Sequence, residues 1–271
     1  MPRLVDPVHW QVQTEAASNG CFETMRAYHG RIFRLEDHLD RLYASAQFLG
    51  TRPPSQRRRF SRQLVHALER SGIREAIVRV ALLPQPQAEA RPSIVVQQVQ
   101  LPSASAYRRG IQVAIVPTRK FSVASITPQA KYSARLGSVM AVMDAQLRGV
   151  DEALFIDALG YVTESTASNF GMIRDGAILT PPCWLGLLAG ITRDVLFELA
   201  QMLRRPIYEV PLTRHDVYNA DEAFLTSTIK EVLGVTTIDG RRIGTGRPGP
   251  VTKQLRRAFD RLVRTELRLS R

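Results

Sequence analysis

The chain has 271 residues, enough for one large domain or two modest ones, and the 44% that are hydrophobic suffice for a sizeable core. Lysine and arginine number 37 against 25 acidic residues, and the resulting +12 charge favours anions in general without naming one. Cys21 and Cys183 form no CxxC pair, "MPRLVDPVHWQVQ" has no signal-peptide core, and no apolar run reaches the roughly 18 residues of a membrane span; a cytoplasmic protein with no membrane partner is expected.

"CFETMRAYHGRIFRL" reads as two β-rich runs meeting at His29-Gly30, a hairpin signal. In "EDHLDRLYASAQFLG", Leu39, Leu42, Tyr43, Ala46 and Leu49 recur at helical spacing, with Gly50 as the stop. Pro53-Pro54 breaks the chain before a second helix that ends near Gly72. "EAIVRVALL", "SIVVQQVQ" and "GIQVAIVP" predict three strands, which makes the first half α+β. Periodicity fades from Thr118 to Ala130, and this stretch reads as a linker between a smaller N-terminal domain (1–117) and a larger C-terminal one (131–271). Lys131 then leads into a small-residue helix, followed by the strand "EALFI" and by hairpin turns at Leu159-Gly160 and Asp175-Gly176. "GITRDVLFELAQML" is an amphipathic helix with Thr192 near its start, "PIYEVPL", "EAFLTST" and "TIDGRRIG" add strands, and "GPVTKQLRRAFDRLVRTEL" closes as a helix.

Three features point elsewhere and are set aside. "GTGRPG" matches the dinucleotide pattern GxGxxG, but a hairpin signal precedes it and Pro248 interrupts it, so it reads as a turn before the last helix. The 5 histidines show neither HxH nor HxxxH spacing; no metal is expected, and each reads as a surface or capping residue. Basic runs such as "RRRF" and "YRRG" lack interleaved aromatics and match no nucleic-acid-binding signature, so no nucleic-acid partner is expected.

The fragments "GCFETMR", "HLDRLYASA", "AKYSARLGSVMA", "GYVTESTASNFGMIRDG", "GITRDVL", "ADEAFLTSTIKE" and "IDGRRIG" follow one another from Gly20 onward. Taken together they resemble the class IV aminotransferases, the pyridoxal 5′-phosphate (PLP) enzymes of fold type IV. That family includes branched-chain and D-amino-acid aminotransferases and aminodeoxychorismate lyase. The resemblance implies a two-domain α+β fold with the cofactor in a cleft between domains, a homodimer, and ping-pong transfer of an amino group between an amino acid and a 2-oxo acid.

It also implies roles for particular residues. On the residues alone, Lys131 is an ordinary surface lysine at a helix start, although a cation there opposes the helix dipole. The family pattern makes it the lysine that bonds the cofactor aldehyde and moves a proton at the substrate's α-carbon, work suited to an amine whose pKa is lowered by burial or nearby cations. Glu164 would sit beside the pyridine nitrogen and favour its protonated form, with Asn169 as support. Ile191 and Thr192 at a helix N-terminus, Ser227, Thr228 and the Arg41 guanidinium would hold the phosphate. Otherwise Glu164 is a strand-end glutamate, Thr192 a helix cap and Arg41 a surface arginine.

Substrate contacts fall to Phe22, Arg79 and Arg135. Phe22 replaces the tyrosine of D-amino-acid enzymes, and Arg79 sits closer to the branched-chain pattern, where it would grip a carboxylate or form a structural ion pair. Arg135, in "KYSARL", is reminiscent of aminodeoxychorismate lyases, which release pyruvate and 4-aminobenzoate; that activity is the alternative. A catalytically inactive binding protein of the same fold is the alternative of another class.

Overall fold

The computed structural model describes residues 20–119, 129–133 and 136–269. They divide into two compact units: residues 20–100, 130–133 and 262–269 in one, residues 101–119, 129 and 136–261 in the other.

The first unit is built on strands β1 (Cys21–Tyr28), β2 (Arg31–Ile32), β3 (Ala76–Leu83) and β4 (Arg91–Gln98), in the order β2-β1-β3-β4 and antiparallel throughout. The β1–β2 turn places His29 (φ 51°) and Gly30 (φ 80°) in the left-handed region, the backbone twist a two-residue hairpin requires. Helices α1 (Leu35–Phe48) and α2 (Arg57–Ser71) cover one face of this sheet. Alternation sends Cys21, Met25, Ala27, Val78, Val80 and Leu82 to that face, against Leu39, Leu42 and Ala46 of α1 and Phe60, Leu64 and Leu68 of α2. Burying each large apolar side chain of this seam contributes about 2 kcal/mol. The chain's last turn belongs here too, because Arg34 pairs with Glu266 and Arg31 donates to the Leu267 carbonyl.

The second unit carries β5 (Ile111–Ile115), β6 (Glu152–Ile156), β7 (Val162–Ser165), β8 (Asn169–Arg174), β9 (Ala177–Thr180), β10 (Ile207–Glu209), β11 (Glu222–Ser227), β12 (Glu231–Ile238) and β13 (Arg241–Arg242). Its helices are α3 (Ala104–Arg109), α4 (Leu136–Leu147), α5 (Ile191–Met202) and α6 (Arg214–Tyr218), and α7 (Pro250–Glu266) starts in this unit. The strand path β8-β11-β12-β5-β6-β7 returns to β8 through one pair, Glu164↔Asn169, and so closes into a ring. Each ring strand contributes to a common core that includes Val113, Leu154, Val162, Met172, Leu225 and Leu233. On the other face of β6, Ala153 and Phe155 pack on Ala141 and Ala145 of α4.

Two elements differ from the sequence reading. β5, which the sequence groups with the strands before it, lies parallel between β12 and β6 in the second sheet. Ile111, Val113 and Ile115 bury one face and Ala114 the other, and a strand buried on both faces belongs inside a sheet. Lys131 does not start a helix: α4 begins at Leu136, and residues 131–133 run extended beside β1, with Cys21 bridged to Tyr132. Lys131 therefore stands at no helix start and opposes no helix dipole. Among the described residues, no helix is long and apolar enough to cross a membrane, and no group of histidines, cysteines and acids could hold a metal ion.

Candidate active site

In the first unit, hydrogen bonds from three directions fix the lysine segment. The Phe22 N–H donates to the Lys131 carbonyl at 3.0 Å, and the Ser133 N–H donates to the Gly20 carbonyl at 2.9 Å. The Lys131 N–H donates to Ser45 Oγ at 3.0 Å, and that hydroxyl donates to the Arg41 carbonyl at 2.8 Å. One serine thus ties the backbone of Lys131 to that of Arg41. Lys131 is half-buried, with Nζ over the Phe22 ring at 4.9 Å from its centroid.

Arg41 is held by a buried carboxylate. Its Nε donates to Glu23 Oε1 at 2.6 Å and its Nη2 to Oε2 at 2.9 Å, while His38 Nδ1 lies 2.8 Å from Oε2. Glu23 is fully buried, which raises a carboxyl's pKa, but the Arg41 charge and the His38 hydrogen bond outweigh burial and hold it far below the usual carboxylate range. Burial lowers the His38 pKa, against the pull of Glu23 and with help from the Arg41 and Lys131 charges. A neutral ring facing an ionised carboxylate must carry its proton on Nδ1. His38 is therefore no surface residue, contrary to the sequence expectation; it is 2% exposed and belongs to this network.

The sheet face away from α1 and α2 carries Phe22, Thr24, Arg26 and Tyr28 at period two along β1, and Arg79 pairs across from Thr24. Arg26 is buried, stacks 4.0 Å over the Tyr28 ring and lies 3.8 Å from Glu75. The sequence reading missed Arg26, although its alternation with Phe22 was visible. It missed Glu23, His38 and Ser45 as well, whose roles depend on the meeting of β1, α1 and the lysine segment. Arg135 lies outside the described residues.

In the second unit, the ring closure supplies the carboxylate. Asn169 Nδ2 donates to Glu164 Oε2 at 3.3 Å and to the Leu188 carbonyl at 2.8 Å, and the Leu188 N–H donates to the same Glu164 oxygen at 3.2 Å. These bonds fix the orientation of Glu164, which is 6% exposed. Gly190 precedes α5 as its N-cap, and a Cβ there would lie 2.0 Å from Asn169 Oδ1, so only glycine admits the approach. No side chain caps α5, and Ile191 and Thr192, its first two residues, are buried. An uncapped helix start with a threonine hydroxyl suits an anion. Ser227 ends β11 and Thr228 follows in the turn; Ser227 Oγ accepts the Lys230 N–H at 3.1 Å, which leaves the hydroxyl proton to donate elsewhere.

The "GTGRPG" turn behaves differently. At the start of α7, Glu222 accepts the Val251 N–H at 2.9 Å and the Thr252 N–H at 2.7 Å. A carboxylate of the protein itself fills the place a dinucleotide phosphate would need.

The donor set of the second unit fits PLP: an oriented carboxylate for a pyridine nitrogen, and N–H and hydroxyl groups for a phosphate. Comparison with known proteins agrees. The amino-transferase class IV family model matches residues 20–238. The branched-chain-amino-acid aminotransferase of Pseudomonas aeruginosa is 34% identical over 258 residues, covering 90% of this chain and 84% of that protein. Among solved structures, the T.th. branched-chain amino acid aminotransferase with pyridoxamine 5′-phosphate superposes with a TM-score of 0.87 at 30% identity, over 93% of this chain and 90% of that one. The holo, PLP-form branched-chain aminotransferase of Thermobaculum terrenum gives 0.85 at 26% identity, over 92% and 86%. The chain belongs to the class IV aminotransferase family, has its fold type IV architecture, and is a transaminating enzyme.

Proposed function

We propose that this aminotransferase exchanges the amino group of a branched-chain amino acid with a 2-oxo acid, using PLP. The observation that carries the reading is the Pseudomonas relative, a branched-chain enzyme at 34% identity over 90% of this chain. The β1–β3 face supports it, since Phe22 offers an apolar surface and Arg26 and Arg79 offer cations suited to a carboxylate.

When bound, PLP supplies an aldehyde that takes up the amino group and a ring that draws electrons from the substrate's α-carbon. Lys131 would be the residue that holds the cofactor covalently, and its Nζ would move the proton at the substrate's α-carbon. Ser45 fixes where that side chain starts, and the Phe22 ring lies under the amine. Glu164, oriented by Asn169 and Leu188, would sit beside the ring nitrogen and favour its protonated form. The Ile191 and Thr192 N–H groups and the Ser227 and Thr228 hydroxyls would bind the phosphate, and Arg41, which Glu23 keeps in one rotamer, would add a cation for it.

Borohydride reduction of the PLP-loaded protein followed by peptide mapping should place the label on Lys131. Leucine, isoleucine or valine should turn over repeatedly only when a 2-oxo acid acceptor is present, with parallel initial-rate lines. A label on Lys230 or Lys253 would defeat the assignment, and pyruvate release without an acceptor would favour the lyase.

The same proposal takes the enzyme as a cytoplasmic homodimer. Leu136, Val139, Met140, Met143 and Leu147 expose an apolar stripe along α4, with Leu147 86% exposed, and a second copy would cover it. Sedimentation of the wild type and of Met143→Glu tests this, the variant being expected as monomer.

A further inference from the structure

The second unit also pairs a buried carboxylate with a half-buried lysine, outside the residues proposed to hold the ring nitrogen and the phosphate. Glu152, the first residue of β6, is 7% exposed; Lys230 lies in the turn between β11 and β12. Lys230 Nζ donates to Glu152 Oε2 and, at 3.3 Å, to Ser168 Oγ. The other carboxylate oxygen accepts from Thr166 Oγ1 at 2.6 Å and from the Ala153 N–H at 3.1 Å. Burial raises the Glu152 carboxyl's pKa, yet the Lys230 charge and these hydrogen bonds outweigh it, and the group stays below its ordinary value.

Buried ion pairs add little stability over apolar residues of the same size, so the position of this one carries more information than its strength. Thr166 and Ser168 form the connection between β7, which holds Glu164, and β8, which begins at Asn169. Lys230 belongs to the turn that holds Thr228, and its own N–H engages Ser227 Oγ. We infer that Glu152 and Lys230 are positioning residues, which pin the Glu164 connection to the Ser227–Thr228 turn and so set the spacing at which one ligand is gripped by its ring nitrogen and its phosphate together. The inference rests on the roles proposed above for Glu164, Ser227 and Thr228.

The test compares PLP with pyridoxal, which lacks the phosphate, by absorbance titration of the apoprotein. The wild type should prefer PLP strongly. Lys230→Met and Glu152→Gln should each cut that preference about tenfold, the worth of a lost charge-assisted hydrogen bond, with pyridoxal affinity unchanged. The double variant should do no further harm, since either single change already breaks the unit. Lys230→Arg, which keeps the charge, should recover part of the preference. Thr166→Val removes only one hydroxyl and should cut the preference about threefold, which keeps the test open if the charge variants fail to fold. Equal weakening of both ligands, or an unchanged PLP preference in these variants, would overturn the pin. A wild type that binds neither ligand would overturn the site reading itself, and the inference with it.

Discussion

The substitution Glu23→Gln probes the network that holds Arg41. The wild-type carboxylate takes two hydrogen bonds from the guanidinium, at 2.6 and 2.9 Å, and one from His38 at 2.8 Å, with no exposure to water. Glutamine keeps one acceptor oxygen and turns an NH₂ donor toward a guanidinium that only donates. Breaking a buried pair from one side costs about 3–5 kcal/mol, and the lower end applies because the Arg41 side chain keeps 11% exposure and can rehydrate in part. At roughly 2–4 °C per kcal/mol for a chain of this size, the melting temperature should fall by about 6–12 °C at neutral pH. The sign with pH follows from the depressed carboxyl: the wild-type advantage is complete above the unfolded glutamate's pKa of about 4.3 and is lost as pH falls from there toward the folded value. Urea unfolding followed by circular dichroism, at several pH values from neutral to acid, measures it. A difference below about 1 kcal/mol at neutral pH, or one that persists undiminished in acid, would refute the reasoning.

Ser45→Ala should leave stability within about 1 kcal/mol but lower kcat on the order of tenfold, because the Lys131 N–H loses its acceptor; thermal melts and steady-state rates separate the two effects. Gly190→Ala should weaken PLP binding at least about tenfold, since the new methyl displaces Asn169 and with it the orientation of Glu164; a PLP titration checks this. Glu222→Ala should cost about 1–2 kcal/mol by uncapping α7, seen in urea unfolding, and the protein should show no NAD-dependent shift in melting temperature before or after the change.

The sequence disclosed most about elements whose signal is local. The apolar spacing of α1, the bounds of α2 between Pro54 and Gly72, the His29-Gly30 turn and the strands around Glu164 all sit where periodicity and turn chemistry put them, because each is decided by residues a few positions apart. The setting of Lys131 was not legible in that way. Its neighbours are small and apolar, which reads as helix, yet its carbonyl and N–H are claimed by Phe22 and Ser45, far away in the chain. The reading of His38 failed for the same reason: helical spacing marks Leu39 and Leu42 as inward, and only the arrival of Glu23 beneath α1 explains a buried imidazole next to them. From the sequence β5 falls in the first domain, because a strand carries no mark of which sheet it will join.

The two glycine-led helices show what distinguishes a phosphate site from a look-alike. "GITRD" and "GTGRPGPVT" both place glycine before a helix, and the second is nearer to a textual dinucleotide motif. At α7 the first N–H groups meet a buried carboxylate from β11, so the dipole is already answered within the protein. At α5 the N-cap is Gly190, and the nearest polar side chain, Asn169, turns its amide to Glu164 and to the Leu188 carbonyl and leaves the helix start uncapped. Asp194 in the first turn of α5 answers part of the dipole, but no side chain caps the helix start, so an anion from outside the chain can stabilise α5, while none is called for at α7. Inorganic phosphate should accordingly raise the melting temperature of the apoprotein, and Thr192→Pro, which removes one of the helix-start N–H groups without breaking a bond inside the helix, should abolish most of that rise. A phosphate effect that survives undiminished in Thr192→Pro would place the anion away from α5 and undo the distinction.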